Sequence, residues 1–430
     1  MRTFAVCALG CRVNQYDAEA MREQLLSLGY EQVEFSQKAD VYLIATCTVT
    51  GTSDKKSRQM INRAHRKNPD ALIVAAGCLA QREGEALLEI PGVGLVIGSS
   101  NRAMAGQLVE EALAGMKKSA VEELDTVFEP LAIGQMHGRT RVALKIQEGC
   151  DRFCSYCIIP YVRGPIRSRA LEDCVEEAKR LAAHGVPEIV LTGIHLTSYG
   201  RDLGRQAYPG QMLAELLEQL NAIEGVHRIR MGSLEPSVLS EEFMARVAKL
   251  DKFAHQMHVA LQSGSETVLR RMKRSYTKEG YARHIDILRK YWPDAAISTD
   301  MIAGFPGETE DEAKETIEFV RRIGFSHLHV FPYSPREGTP AAVMEGQLST
   351  QKKQARAAQL IAVGEELKKA YIEQFDGTVQ DVLFERERDG VYIGRTGEDI
   401  EVVCDTPQPF DRLVSCKLTL QDDIMHAQVL

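Results

Sequence analysis

Short apolar runs alternate with stretches of helical periodicity along most of the chain. In the first third, residues 4–9, 41–45, 71–76 and 93–97 read as buried strands. Between them, residues 18–28, 53–67 and 83–89 show helical spacing, the first stretch ending at Gly29. Strands alternating with helices predict a parallel sheet of Rossmann or flavodoxin type. A polar stretch containing Ala and Gly, residues 114–138, reads as a linker. The alternation then resumes, with strands expected at 142–147, 188–193, 227–232, 256–261, 296–302 and 327–332. Helices are expected at 171–184, 211–220, 281–290 and 310–323. Six such units fit a partial parallel barrel, since a full eight-unit barrel takes nearer about 250 residues. A long helix over 351–374 leads into four short strands, 379–384, 390–394, 400–403 and 413–420, the pattern of a small all-β barrel. The expected class is α/β, with a parallel-sheet domain over 1–115, a linker over 116–137, a partial (β/α)6 barrel over 138–368 and a β domain over 369–430.

Composition changes this picture little. With 44% hydrophobic and 26% charged residues, the 430-residue chain is neither a disordered tail protein nor a fibre. No apolar run approaches the ~18 residues of a spanning helix. The start, Met1-Arg-Thr-Phe-Ala-Val-Cys7, lacks a secretory leader, so a cytoplasmic protein without a membrane is expected. Charge matters more. The formal net charge of −8 at first argues against nucleic acid. Residues 370–430 alone carry 13 Asp/Glu against 5 Lys/Arg, so the whole excess lies in the C-terminal segment and the rest is neutral.

The ten cysteines are too sparse for a disulfide scaffold. In a reducing compartment, clustered thiols point to metal or to chemistry. Cys150-Asp-Arg-Phe-Cys154-Ser-Tyr-Cys157 sets three thiols in eight residues, just after the first barrel strand. Three thiolates hold three corners of a cubane iron–sulfur cluster and leave one iron open. Zinc would want four ligands, and no fourth Cys or nearby His completes the loop. Cys11, Cys47 and Cys78 each follow one of the first three strands. Loops after the carboxyl ends of parallel strands share one edge, so a second three-thiol site is expected there.

These two constellations resemble the radical S-adenosylmethionine (radical SAM) methylthiotransferase family. The resemblance rests on Leu9-Gly-Cys-Arg-Val-Asn-Gln15, Thr46-Cys-Thr-Val-Thr50, Gly77-Cys-Leu-Ala-Gln81 and Cys154-Ser-Tyr-Cys-Ile-Ile-Pro-Tyr-Val-Arg-Gly-Pro-Ile-Arg-Ser-Arg169. It continues through Ser233-Leu-Glu-Pro236, His258-Val-Ala-Leu-Gln-Ser-Gly264, Asp300-Met-Ile-Ala-Gly-Phe-Pro-Gly-Glu-Thr309 and Phe331-Pro-Tyr-Ser-Pro-Arg-Glu-Gly-Thr339. Ala260 stands where many members have proline. Within the family, the run after Cys11, Cys47-Thr-Val-Thr50 and Asp54-Lys-Lys-Ser-Arg58 resemble the bacterial tRNA branch that acts on N6-threonylcarbamoyladenosine.

The resemblance implies two 4Fe-4S clusters and S-adenosyl-L-methionine as cofactors. Cys150, Cys154 and Cys157 would hold the radical-generating cluster, and Cys11, Cys47 and Cys78 an auxiliary one carrying the sulfur to be inserted. One S-adenosylmethionine would methylate that sulfur. A second would yield the 5′-deoxyadenosyl radical that removes hydrogen from C2 of the adenine at position 37. No catalytic residue is implied beyond the cluster ligands. Tyr156 would pack on the cofactor, and Gly193, His195, Ser233, Glu235, Gln262 and Asp300, at strand ends, would line its pocket. The C-terminal barrel would be the TRAM-like domain appended to these enzymes. Implied partners are a tRNA anticodon stem-loop and an electron donor such as flavodoxin or ferredoxin. Lys55, Lys56, Arg58, Arg63, Arg66 and Lys67 give the second helix a charge of +5 against Asp54 and are candidates for phosphate contact. Isopentenyladenosine in tRNA and an aspartate of a ribosomal protein remain alternative substrates, and an iron–sulfur RNA-binding protein remains the non-enzymatic alternative.

Overall fold

Val41–Thr46 is buried along its whole length, and the first sheet is built around it. The structure, a computed structural model, describes residues 1–134, 140–204 and 207–430. The last residues of the expected linker, 135–137, and the first of the expected barrel domain, 138–139, lie outside the described residues. Two compact units are present. The first comprises Met1–Gly134, Gln147–Arg169 and Ser334–Ala342, and the second comprises Gln135–Ile146, Ala170–Tyr333 and Val343–Leu430.

The first unit holds strands β1 (Thr3–Ala8), β2 (Glu31–Gln32), β3 (Val41–Thr46), β4 (Leu72–Gly77), β5 (Val93–Ile97) and β6 (Lys118–Ala120). All pair in parallel, in the order β2-β1-β3-β4-β5-β6. That is the flavodoxin-type order with one strand added. Helices α1 (Arg12–Ser27) and α4 (Ala105–Leu113) cover one face, where Met21, Leu25 and Leu108 pack with Leu43, Val74 and Leu95. On the other face, α2 (Gly51–Lys67) and α3 (Cys78–Glu83) bring Ile61, Ala64 and Leu79 against Tyr42, Ile44 and Ile73.

In this unit β2 and α4 were not expected and Gly84–Glu89 forms a 3-10 helix, and two further departures have a local cause. Helix α1 begins six residues before the expected start, because its first turns bury the polar residues Asn14, Tyr16 and Asp17 and so show no apolar periodicity. Strand β6 lies within the stretch read as a linker, which further contributes the buried Leu131 and Ile133. A three-residue edge strand is too short to show alternation.

The chain then forms β7 (Arg141–Lys145) in the second unit and returns to the first with β8 (Gln147–Glu148), α5 (Ile159–Arg163) and β9 (Arg167–Ser168). Strands β8 and β9 pair antiparallel and close the cysteine-bearing loop at its base.

In the second unit, β7, β10 (Glu188–Thr192) and β11 (Arg228–Met231) form one parallel sheet. Strands β12 (Gln256–His258), β13 (Ala296–Ala303) and β14 (His327–Pro332) form another. Isolated parallel bridges, Ile229 to Phe253 and Leu234 to Val259, join them into the six-strand partial barrel expected. Around it stand α6 (Leu171–Ala183), α7 (Gln211–Asn221), α8 (Glu241–Val247), α9 (Glu266–Arg271), α10 (Lys278–Tyr291), α11 (Glu310–Ile323) and α12 (Thr350–Glu373). Gly304, with φ of +74°, turns the chain after β13. Ala260 donates its backbone N–H to the Leu234 carbonyl at 2.9 Å, a bond that proline there would remove.

The C-terminal segment closes into a barrel of β15 (Val379–Arg388), β16 (Val391–Arg395), β17 (Glu401–Cys404), β19 (Ile424–Val429) and β18 (Val414–Gln421). Strand β19 was not expected. Its turn is Asp422-Asp423, both residues at positive φ, rather than the Asn-Gly that marks such turns in sequence.

The base of the six-strand barrel grips this small barrel through buried charge. Glu188 is fully buried at the start of β10, in register with Arg141 on one side and Arg228 on the other. Arg230 donates to it at 2.9 Å. The same arginines reach onward: Arg228 to the carbonyls of Arg395 and Asp381, Arg230 to those of Thr396 and Gly397, and Arg141 to the Glu385 carboxylate. Replacing Glu188 with Ala leaves buried guanidinium charge uncompensated, at a cost of about 3–5 kcal/mol. The expected outcome for E188A is a lowered thermal midpoint with faster protease release of the C-terminal barrel. An unchanged cleavage pattern would refute this coupling.

Candidate functional site

In the first unit, β1, β3 and β4 are neighbours, and each ends at a cysteine. Cys11 follows β1 and is the N-cap residue of α1; Cys47 directly follows β3; Cys78 opens α3 straight off β4. Cys47 and Cys78 are buried, and Cys11 is exposed. The packing requires glycine beside them. A Cβ on Gly10, which sits at φ +86°, would lie 2.7 Å from the Cys47 sulfur. A Cβ on Gly77 would lie 2.7 Å from the Asn14 side-chain oxygen. Asn14 in turn donates to the carbonyls of Leu9 and Thr46, tying the ends of β1 and β3 together. Burial pushes the Cys78 thiol up to about 11; the Arg163 guanidinium opposes that rise, and Cys11 and Cys47 add to it. The three sulfurs are thus close enough to feel one another's charge.

Arg163 closes this edge from the segment that carries the other cysteines. Its side chain is fully buried. Nε donates to the Cys78 sulfur at 3.1 Å, Nη1 to Asp17 at 2.7 Å and Glu148 at 3.0 Å, and Nη2 to Asn14 at 3.1 Å. Asp17 and Glu148 also accept from Arg102, a second fully buried arginine, which donates further to Glu129 at 2.8 Å. The flanking Ile158 and Val162 pack on Cys78. Arg163 is therefore enclosed by protein and out of reach of an RNA.

The Cys150–Cys154–Cys157 loop lies in this same unit. Gly149 starts it at φ +70°, where a Cβ would fall 1.8 Å from the Pro165 carbonyl oxygen, so only glycine fits. Cys150 donates its N–H to the Gly164 carbonyl at 3.0 Å, and Cys157 to that of Cys154 at 2.9 Å. Cys154 is buried; Cys150, Tyr156 and Cys157 are half-buried. Among the described residues, no three His, Cys, Asp or Glu side chains are grouped so as to hold a single metal ion. A cubane asks for a different arrangement, one thiolate at each of three separate irons. Three thiols converging from three loops, flanked by glycines and faced by a buried cation, suit such a group in number, polarity and charge.

In the second unit, the carboxyl ends of the barrel strands carry two polar groups. After β10, His195 sits within 2.6 Å of the Ser198 hydroxyl through Nδ1 and 3.2 Å from Glu235 through Nε2. Arg274 holds the other Glu235 oxygen at 3.1 Å. Although it ends a basic run, 270–274, the Arg274 side chain is only 6% exposed. The second group is His258, 3.4 Å from Asp300, with the His329 ring tilted against it at a centroid distance of 5.5 Å. Gln262 lies beside it at φ +73°, its backbone bridging to Asp300 and Ile302. Gly193 is half-buried and Ser233 exposed, both just beyond their strands. Of the basic candidates on α2, Lys55, Lys56, Arg63, Arg66 and Lys67 are exposed, whereas Arg58 is ion-paired with Glu83. Asp54, the one acid of that helix, is taken up by Arg82 and Arg336.

Comparison with known proteins gives these sites a context. Residues 3–98 match a family described as "Uncharacterized protein family UPF0004", and residues 144–320 match the radical SAM superfamily. The chain is 43% identical to the threonylcarbamoyladenosine tRNA methylthiotransferase MtaB of Bacillus subtilis, over 94% of this chain and 90% of that protein. It belongs to the radical SAM methylthiotransferase family. Identity to the tRNA-2-methylthio-N(6)-dimethylallyladenosine synthase of Aquifex aeolicus is 36%, over 92% of this chain and 90% of that one. Among solved structures, the radical S-adenosylmethionine methyltransferase TsrM of Kitasatospora setae shares the fold, with a TM-score of 0.58 at 15% identity, over 80% of this chain and 77% of that one. Family membership makes the chain a radical SAM enzyme with an iron–sulfur cluster and S-adenosylmethionine as cofactors.

The glycine contacts give a direct check on the three-thiol edge. Gly10→Ala places a methyl group against the Cys47 sulfur and strains a positive-φ position. Anaerobically reconstituted G10A is expected to hold about half the iron of the parent, the share of one cubane in two. Undiminished iron in a folded variant would show that this edge carries none.

Proposed function

We propose that this methylthiotransferase modifies tRNA, inserting a methylthio group at C2 of N6-threonylcarbamoyladenosine at position 37. The observation that carries the reading is the 43% identity, over nearly the full length of both chains, to an enzyme of that name. Cys150, Cys154 and Cys157 would hold the radical-generating cluster, and Cys11, Cys47 and Cys78 a second, sulfur-carrying one. A cluster with S-adenosylmethionine supplies the one-electron chemistry that opens a C–H bond too inert for acids or bases.

The chain's own residues bind and orient. His195, Glu235, Gln262 and Asp300 present fixed polar atoms for the ribose and amino-acid parts of the cofactor, with Gly193 and Ser233 beside them and Tyr156 against its base. The pairing of Glu235 with both His195 and Arg274 holds that carboxylate in one orientation. The exposed cations of α2 supply phosphate contacts to the anticodon stem-loop, and a small flavodoxin- or ferredoxin-type protein delivers electrons in the cytoplasm.

The test is nucleoside mass analysis of two tRNAs incubated with reconstituted enzyme, one bearing threonylcarbamoyladenosine and one isopentenyladenosine. Methylthiolation of the first alone is expected; modification of only the second would assign the chain to the other tRNA branch. In the same assay, reversing Lys55, Lys56 and Arg63 to Glu is expected to raise the KM for tRNA at least tenfold and flatten its salt dependence, with kcat little changed. An unaltered KM would remove α2 from the RNA surface.

A further inference from the structure

We propose that Arg163 is a positioning residue for the second cluster. Its Nε–H holds the Cys78 sulfur in place and withdraws electron density from it, raising that cluster's reduction potential. The proposal rests on the reading that Cys11, Cys47 and Cys78 hold a cluster.

The geometry separates this role from mere ion pairing. A buried guanidinium needs its donors accepted, and carboxylates are the usual acceptors. Two carboxylates are at hand, Asp17 and Glu148, and both accept from Nη1. The Nη2 edge is taken by Asn14, whose amide also fastens β1 to β3. Nε is left pointing at sulfur, at 3.1 Å. Within this buried group, Asp17 and Glu148 pair with both Arg102 and Arg163, and Glu129 pairs with Arg102. Beside the guanidinium's charge, Cys78 receives one directed N–H, oriented by partners on α1 and β8. Hydrogen bonds to ligand sulfurs are among the means by which proteins tune iron–sulfur potentials.

The placement has a second consequence. Arg163 ends the short helix that follows Cys157, and Ile158 and Val162 of that stretch pack on Cys78. A shift of the Cys150–Cys157 loop is thereby transmitted to a ligand of the other thiol set. Lysine cannot substitute, because one ammonium lacks the rigid fork needed to meet Asp17, Asn14 and the sulfur together.

The test uses the full chain with Cys150, Cys154 and Cys157 changed to Ala, reconstituted anaerobically with iron and sulfide, so that the second cluster is observed by itself. With 15N-labelled arginine, pulsed electron paramagnetic resonance of the reduced cluster is expected to show an arginine nitrogen coupling. That coupling should vanish in R163K. Redox titration is expected to place R163K and R163Q at more negative potentials than the parent. A parent that binds iron but shows no arginine coupling overturns the proposal, as does a potential unmoved in both variants. Should the variants fail to fold, the labelled parent decides the question alone. A folded parent that binds no iron overturns the cluster reading itself, and Arg163's role with it.

Discussion

A guanidinium sealed from water must find an acceptor for its donors within the protein, and the first unit is organised around meeting that condition for Arg163. Its partners come from α1, β8 and the start of α3, segments far apart in sequence. Arg102 extends the same network to Glu129, beyond β6. Removing any one carboxylate would take an acceptor from at least one buried guanidinium. The sheet edge bearing Cys11, Cys47 and Cys78 is therefore held by electrostatics as well as by the apolar packing behind it. Rigidity of this kind suits an edge whose three sulfurs must stay in register with one another.

The same logic changes the meaning of the acidic C-terminal segment. Its charge seemed to argue against an RNA partner, but part of it is spent internally. Glu385 pairs with Arg141, and Asp399 lies within 4.0 Å of Arg230 and 3.7 Å of Arg141. Those arginines belong to the amino-terminal ends of the barrel strands, where Glu188 anchors them. Active sites of parallel barrels lie at the opposite, carboxyl ends. Within the second unit, then, the small barrel is fastened to the face opposite the one where such barrels place their sites, and its remaining acids impose their field from there.

Much of this was legible in the sequence, and two of the failures share a cause. Strands buried on both faces, such as β3 and β4, are continuous apolar runs, so their ends and the cysteines at them could be located by inspection. Helix α1 could not be traced back to Cys11, because Asn14, Tyr16 and Asp17 occupy its buried face. Two of these, Asn14 and Asp17, are there to meet Arg163. The network that holds the site erased the periodicity that would have announced it. Arg274 escaped for the same reason: a basic run reads as surface, and only the structure shows Glu235 beneath it. A polar residue bound to a distant partner leaves no local pattern.

The two thiol sets differ in how sequence and space relate. Cys150, Cys154 and Cys157 are adjacent in sequence and need only one loop, pinned by Gly149 and the β8–β9 pairing. Cys11, Cys47 and Cys78 are dozens of residues apart and need an entire parallel sheet to meet. Yet the loop groups with that sheet, although β7, which leads into it, belongs to the barrel. The first unit therefore carries both candidate ligand sets, while the polar groups around His195–Glu235 and His258–Asp300 belong to the second. Placing both thiol sets on one body fixes their mutual geometry by packing rather than by the position of a neighbouring domain. Arg163 is the residue through which that packing reaches a sulfur.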